Sequence, residues 1–88
     1  MSTNLHWTKN EDMKILFEII NRELIKKTQF NTNKRKILID KIANDLLQDP
    51  DFLARLKTDK PSRTIAQHIR VWIAYLEDRR NKKPPQKY

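Results

Sequence analysis

Eighty-eight residues, 38% of them apolar and 34% charged, make one small domain with a modest core. The chain has no glycine and no cysteine. That excludes a glycine-rich phosphate loop, a dinucleotide fingerprint, a disulfide framework, a thiolate zinc site and a cysteine nucleophile, and it argues against the positive-φ turns of an all-β fold. The net charge is +8 and uneven: residues 60–88 hold eight basic and two acidic side chains, and residues 1–59 hold eleven and nine, a basic stripe that points to nucleic acid.

The first predicted helix opens near Thr8, whose Thr-x-x-Glu spacing to Glu11 is that of a capping box, with Asp12 favouring the helix start. Met13, Leu16, Phe17, Ile20 and Leu24 fall at i, i+3, i+4, i+7 and i+11, so they predict the apolar face of a helix that ends near Lys26 or Lys27. Thr28 to Lys34 is polar and reads as a loop. A second helix is expected from about Lys36 to Gln48, burying Leu38, Ile39, Ile42, Ala43, Leu46 and Leu47. Asp49-Pro50-Asp51 stops it, and Asp49 can cap a brief extra helix that begins with Pro50 and carries Phe52, Leu53 and Leu56. After a break at residues 58–61, a third helix opens near Ser62 to Thr64, with Thr64 and Gln67 again at capping-box spacing. Ile65, Ile69, Trp72 and Leu76 form its buried stripe, and it runs to about Arg80 before Pro84-Pro85.

These elements predict an all-α three-helix bundle over residues 7–80, with Trp7, Phe17 and Trp72 as aromatic anchors. Residues 1–6 and 81–88 read as an N-terminal tail and a mobile basic tail. No apolar run approaches the roughly 20 residues of a membrane span, and Met1 to His6 lacks a secretory pattern, so a soluble protein is expected. The two histidines, His6 and His68, lie far apart in sequence without a paired nucleophile, and Asp49 and Asp51 are explained by capping. No enzyme, cofactor, metal site or small-molecule substrate is therefore expected. His68, four residues before Trp72, reads as a partly buried histidine with its hydrogen bonds met.

The third helix reads Arg63-Thr64-Ile65-Ala66-Gln67-His68-Ile69-Arg70-Val71-Trp72. Its Arg-Thr-x-x-Gln-x-x-x-x-Trp pattern resembles the last helix of Myb/SANT repeats. Trp7-Thr8, Glu11-Asp12, Leu16 and Ile19 resemble the opening of the same family, and Ile42-Ala43 its second helix. The chain departs from the family in three places. Ile39 stands where the family has its middle tryptophan, Gln48 to Lys60 is an insertion between helices two and three, and Ala66, Val71 and Ala74 thin the polar face of the last helix. The run Ile69-Arg70-Val71-Trp72-Ile73, followed by Leu76 and basic residues, is similar to the Myb-type domain of the yeast repressor-activator telomere proteins. Val71-Trp72 and Arg79-Arg80 faintly resemble the last helix of a homeodomain, but residues 73–78 lack the aromatic and asparagine expected there.

The resemblance implies a helix-turn-helix module of a nuclear chromatin, telomere or transcription-regulating protein that binds double-stranded DNA. Its third helix would enter the major groove, with Arg63, Ala66, Gln67 and Arg70 facing the bases. Lys60, Arg79, Arg80, Lys82 and Lys83 would touch phosphates, and Lys34, Arg35 and Lys36 would form a second phosphate clamp. The alternative is a SANT-like module that recruits a chromatin or telomere protein through Val71, Ile73, Ala74 and the Phe52 segment, without base readout.

Overall fold

The structure is a computed structural model that describes residues 7–56 and 61–78. Helix α1 (Lys9–Asn21) starts at the expected capping box: Glu11 N–H donates to Thr8 Oγ1 at 3.2 Å, and Thr8 N–H donates to Glu11 Oε1 at 2.8 Å. The helix does not continue to Lys26. It breaks at Glu23, which sits in the left-handed region with φ 52° and ψ 41°, and a one-turn helix α2 (Leu24–Lys27) follows. In a chain without glycine this position falls to a residue with a Cβ, at a cost of about 1–2 kcal/mol.

The face that α1 buries is not the expected one. Ile15 and Ile19 point inward together with Glu11 and Asp12, whereas Met13, Phe17 and Ile20 are 58%, 62% and 67% exposed. At 3.6 residues per turn the two stripes lie roughly 150° apart around the helix. Of the expected apolar face only Leu24, now in α2, is fully buried, and Leu16 packs at the core margin. Phe17 is therefore not an anchor of the core. Phe52 takes that place.

Helix α3 (Thr32–Leu46) begins four residues earlier than expected, because Asn31 caps it: Lys34 N–H donates to Asn31 Oδ1 at 2.9 Å. Its buried side, Ile39, Ile42, Ala43 and Leu46, agrees with the sequence reading. Helix α4 (Pro50–Arg55) forms as expected, with Asp49 Oδ1 accepting from Asp51 N–H at 2.9 Å and proline in the first turn. Phe52 is fully buried and its ring lies 6.5 Å from that of Trp7. Phe52 thus belongs to the core.

Helix α5 (Pro61–Glu77) already includes Ser62 and Thr64, so neither caps it as expected. Ile65, Ile69 and Trp72 are buried and Leu76 packs against the core, as the spacing predicts. Ala66, His68 and Ile73 widen the buried arc. The result is an all-helical bundle in which α3 and α5 form the principal pair, α1 packs on α5, and α2 on α3. No helix among the described residues is long and apolar enough to cross a membrane.

Candidate nucleic-acid interface

Burial of the Ile65–Ile69–Trp72 stripe fixes what α5 shows to solvent. Arg63, Gln67 and Arg70 follow at i, i+4 and i+7, all exposed, within an arc of roughly 60° opposite the core. Among the described residues neither Arg63 nor Arg70 has an ion pair or side-chain hydrogen bond. Ala66 is not part of this face: it is 3% exposed, because its position one step round from Ile65 turns it toward the core. Ala74 is half-buried, and Val71 lies half-exposed at the edge of the polar arc.

The inner side of α5 is held by a buried polar cluster that sequence reasoning half found. His68 is buried, as expected, but its partner is Asp12 of α1, placed in the sequence only as a helix-start residue. His68 Nε2 lies 2.6 Å from Asp12 Oδ1, and Trp72 Nε1 donates to the same oxygen at 3.1 Å. Trp72 Nε1 also lies 3.2 Å from His68 Nε2. That nitrogen cannot donate to Asp12 and accept from Trp72 at once; with Nε2 carrying the proton, the carboxylate oxygen takes both donors. Trp7 covers the imidazole as a parallel stack, centroids 4.3 Å apart and planes 2° from coplanar. One signal in the sequence could have revealed the pairing: Asp12 is in helical phase with Ile15 and Ile19, three and seven residues on.

Beside the outer face of α5 lies the N-terminal half of α3. Arg70, Lys36 and Arg35 line one groove between the two helices, floored by Ile39 and Ile73. Arg35 is already engaged. Its Nη2 and Nη1 reach Glu77 at 3.1 and 3.4 Å, and its Nε donates to Thr28 Oγ1 at 3.0 Å. It therefore straps α3 to the end of α5, which departs from its expected role at phosphate. Lys34 and Lys36 are exposed, and among the described residues their side-chain ammonium groups have no ion pair.

Both lysines, with Arg35, occupy the first turns of α3, where the first turn holds no acidic residue. Cations at the positive end of a helix dipole are unfavourable by about 0.3–1 kcal/mol each at a surface, and an anion bound there removes that cost. Lys60, Arg79, Arg80, Lys82 and Lys83, the remaining expected phosphate contacts, lie outside the described residues.

Away from α5 several charges are paired. Lys14 bonds Asp49, and Arg22 joins Glu18 at 2.7 Å to Asp45 at 2.8 Å. The Lys14 hydrogen bond holds the Asp49 carboxyl below its ordinary pKa and raises that of the lysine. The hydrogen bond to Asp45 likewise raises Arg22. Arg55 Nε donates to Glu11 Oε2 at 2.7 Å, tying α4 to the capping box. Among the described residues no group of three or more histidines and carboxylates converges as a metal site. Comparison with protein-family models, curated proteins and solved structures gives no match to this chain.

Proposed function

We propose that this is a Myb/SANT-like, helix-turn-helix DNA-binding module of a nuclear chromatin, telomere or transcription-regulating protein, with α5 entering the major groove of a duplex. One observation carries the reading. Arg63, Gln67 and Arg70 project together from one exposed face of a rigidly packed helix, beside Lys34 and Lys36 at the start of α3. A helix of ~10–12 Å diameter fits a major groove about 12 Å wide. Arginine presents a fork to guanine O6 and N7, and glutamine pairs with adenine N6 and N7. Lys34 and Lys36 would meet phosphates, and Val71 beside Arg70 suits a thymine methyl.

The rise of α5 sharpens the expectation. Arg63 and Arg70 are separated by about 10.5 Å along the axis, close to three base-pair steps of about 3.4 Å, with Gln67 between them. Selection from a randomised duplex library should therefore enrich two guanines about three steps apart, flanking an adenine. Arg70→Ala should weaken the selected site by about 1–3 kcal/mol and relax one guanine. Lys36→Ala should weaken all sequences alike and reduce the salt slope by about one. Absence of binding at low salt, or an Arg70→Ala protein with unchanged affinity and preference, refutes the reading. Of the residues named for the alternative, recruitment of a protein partner, Phe52 and Ile73 lie in the core, whereas Val71 and, in the Phe52 segment, Leu53 are about half exposed.

A further inference from the structure

The strap between Arg35 and Glu77 has the form of an occupied phosphate site. Thr28 is buried; its hydroxyl donates to the Leu24 carbonyl at 2.6 Å, and the same oxygen accepts from Arg35 Nε at 3.0 Å. One edge of the guanidinium is thereby pinned to the core. Its Nη1 and Nη2 meet Glu77 as a fork, at 3.4 and 3.1 Å. Such a fork fits the oxygens of a carboxylate and of a phosphate alike. Three cations line the groove around it, Arg35, Lys36 and Arg70, and among the described residues Glu77 is the one carboxylate there.

The carboxylate is weakly held. The side chains of the pair are 21% exposed for Arg35 and 37% for Glu77, and an ion pair this open to water contributes little. Glu77 is also the last residue of α5, where the negative end of the helix dipole opposes its charge. Arg35, by contrast, is positioned by Thr28 and does not depend on Glu77 for its place. Arg70 and Glu77 stand seven residues apart on one side of α5, about 10.5 Å along its axis. With the first half of the helix at the bases, its end passes the backbone, where phosphates lie. We infer that Glu77 is an internal stand-in for a phosphodiester of the duplex: on docking, the phosphate takes the Arg35 fork, Glu77 is released to solvent, and this exchange sets how tightly the duplex is held. The exchange rests on the duplex-binding reading and deepens it, returning Arg35 to phosphate in the bound state only.

Two probes are titrated into the isotope-labelled full chain: a short random-sequence duplex, and inorganic tripolyphosphate, which offers phosphate oxygens without bases or grooves. In the unmodified protein both should shift the Arg35 Nε–H resonance together with the backbone amides of Lys36 and Arg70. Glu77→Gln, a change at an exposed helix end that should leave the circular dichroism spectrum intact, should bind either probe about two- to fivefold more tightly, the fold-change that matches a partly exposed ion pair. Its salt slope for the duplex should steepen by about one, because no released carboxylate takes up a cation. A strap with a purely structural role predicts the reverse: losing it loosens the end of α5, and binding falls. If neither protein binds the duplex at low salt, the duplex-binding reading itself fails and takes the exchange with it. If both bind, the exchange alone is overturned when Glu77→Gln is no tighter than the unmodified protein, or when Arg35 Nε–H stays in place at saturation with either probe.

Discussion

Replacing Asp12 by alanine tests whether the buried cluster holds α5 in place. The carboxylate accepts from His68 at 2.6 Å and Trp72 at 3.1 Å, and all three side chains are at most 8% exposed. Alanine takes the carboxylate from both donors, leaving Trp72 Nε1 only His68 Nε2, 3.2 Å away, as an acceptor; each lost bond costs about 1–3 kcal/mol. The two losses sum to about 2–6 kcal/mol. An 88-residue domain has roughly 4–13 kcal/mol of stability, so the loss takes a large share of it and lowers the Tm. Urea unfolding followed by tryptophan fluorescence measures it, because Trp7 and Trp72 both touch the cluster. A cycle with Trp72→Phe isolates the pairing. The double variant should cost at least about 1 kcal/mol less than the sum of the singles, since one orphaned donor is then gone. A loss below about 1 kcal/mol for Asp12→Ala, or singles that add within about 0.5 kcal/mol, would refute the reasoning.

Three further outcomes follow from the same geometry. Phe52→Ala should cost about 3–5 kcal/mol in urea unfolding, as expected for a fully buried ring and not for a surface insertion. Glu23→Gly should raise stability by about 0.5–1 kcal/mol, because it removes the Cβ strain of the left-handed position at a smaller cost in backbone entropy; a lower denaturation midpoint would contradict this. Asp49 titrates below its ordinary pKa in the folded protein, so its contribution is complete above the unfolded-state value and fades as pH falls through the depressed one. Acid unfolding should therefore shift to higher pH in Lys14→Met, whose Asp49 has lost the hydrogen bond that depresses it.

The exposed residues of the candidate interface were legible because α5 has one strongly apolar side. Once Ile65, Ile69 and Trp72 turn inward, helical geometry leaves Arg63, Gln67 and Arg70 on the outside. Ala66 was misplaced because the buried arc is wider than the stripe that announces it: α3 covers the flank where Ile73 and Ala66 lie. Arg35 looked like one of three equivalent cations, and only the folded chain brings Glu77, 42 positions away, within reach of its guanidinium.

By itself, the sequence determined that the chain is helical and where α1 and α4 begin, but not the break at Glu23 or the start of α3. Threonine and aspartate caps and a proline at a first turn act over a few residues and need no distant partner. The phase of α1 was decided by tertiary structure. Both of its sides carry apolar residues, so periodicity favours neither strongly. On the Ile15 side Asp12 is buried, and His68 and Trp72, 56 and 60 residues further on, bring two hydrogen-bond donors to its Oδ1 while Oδ2 stays without a partner.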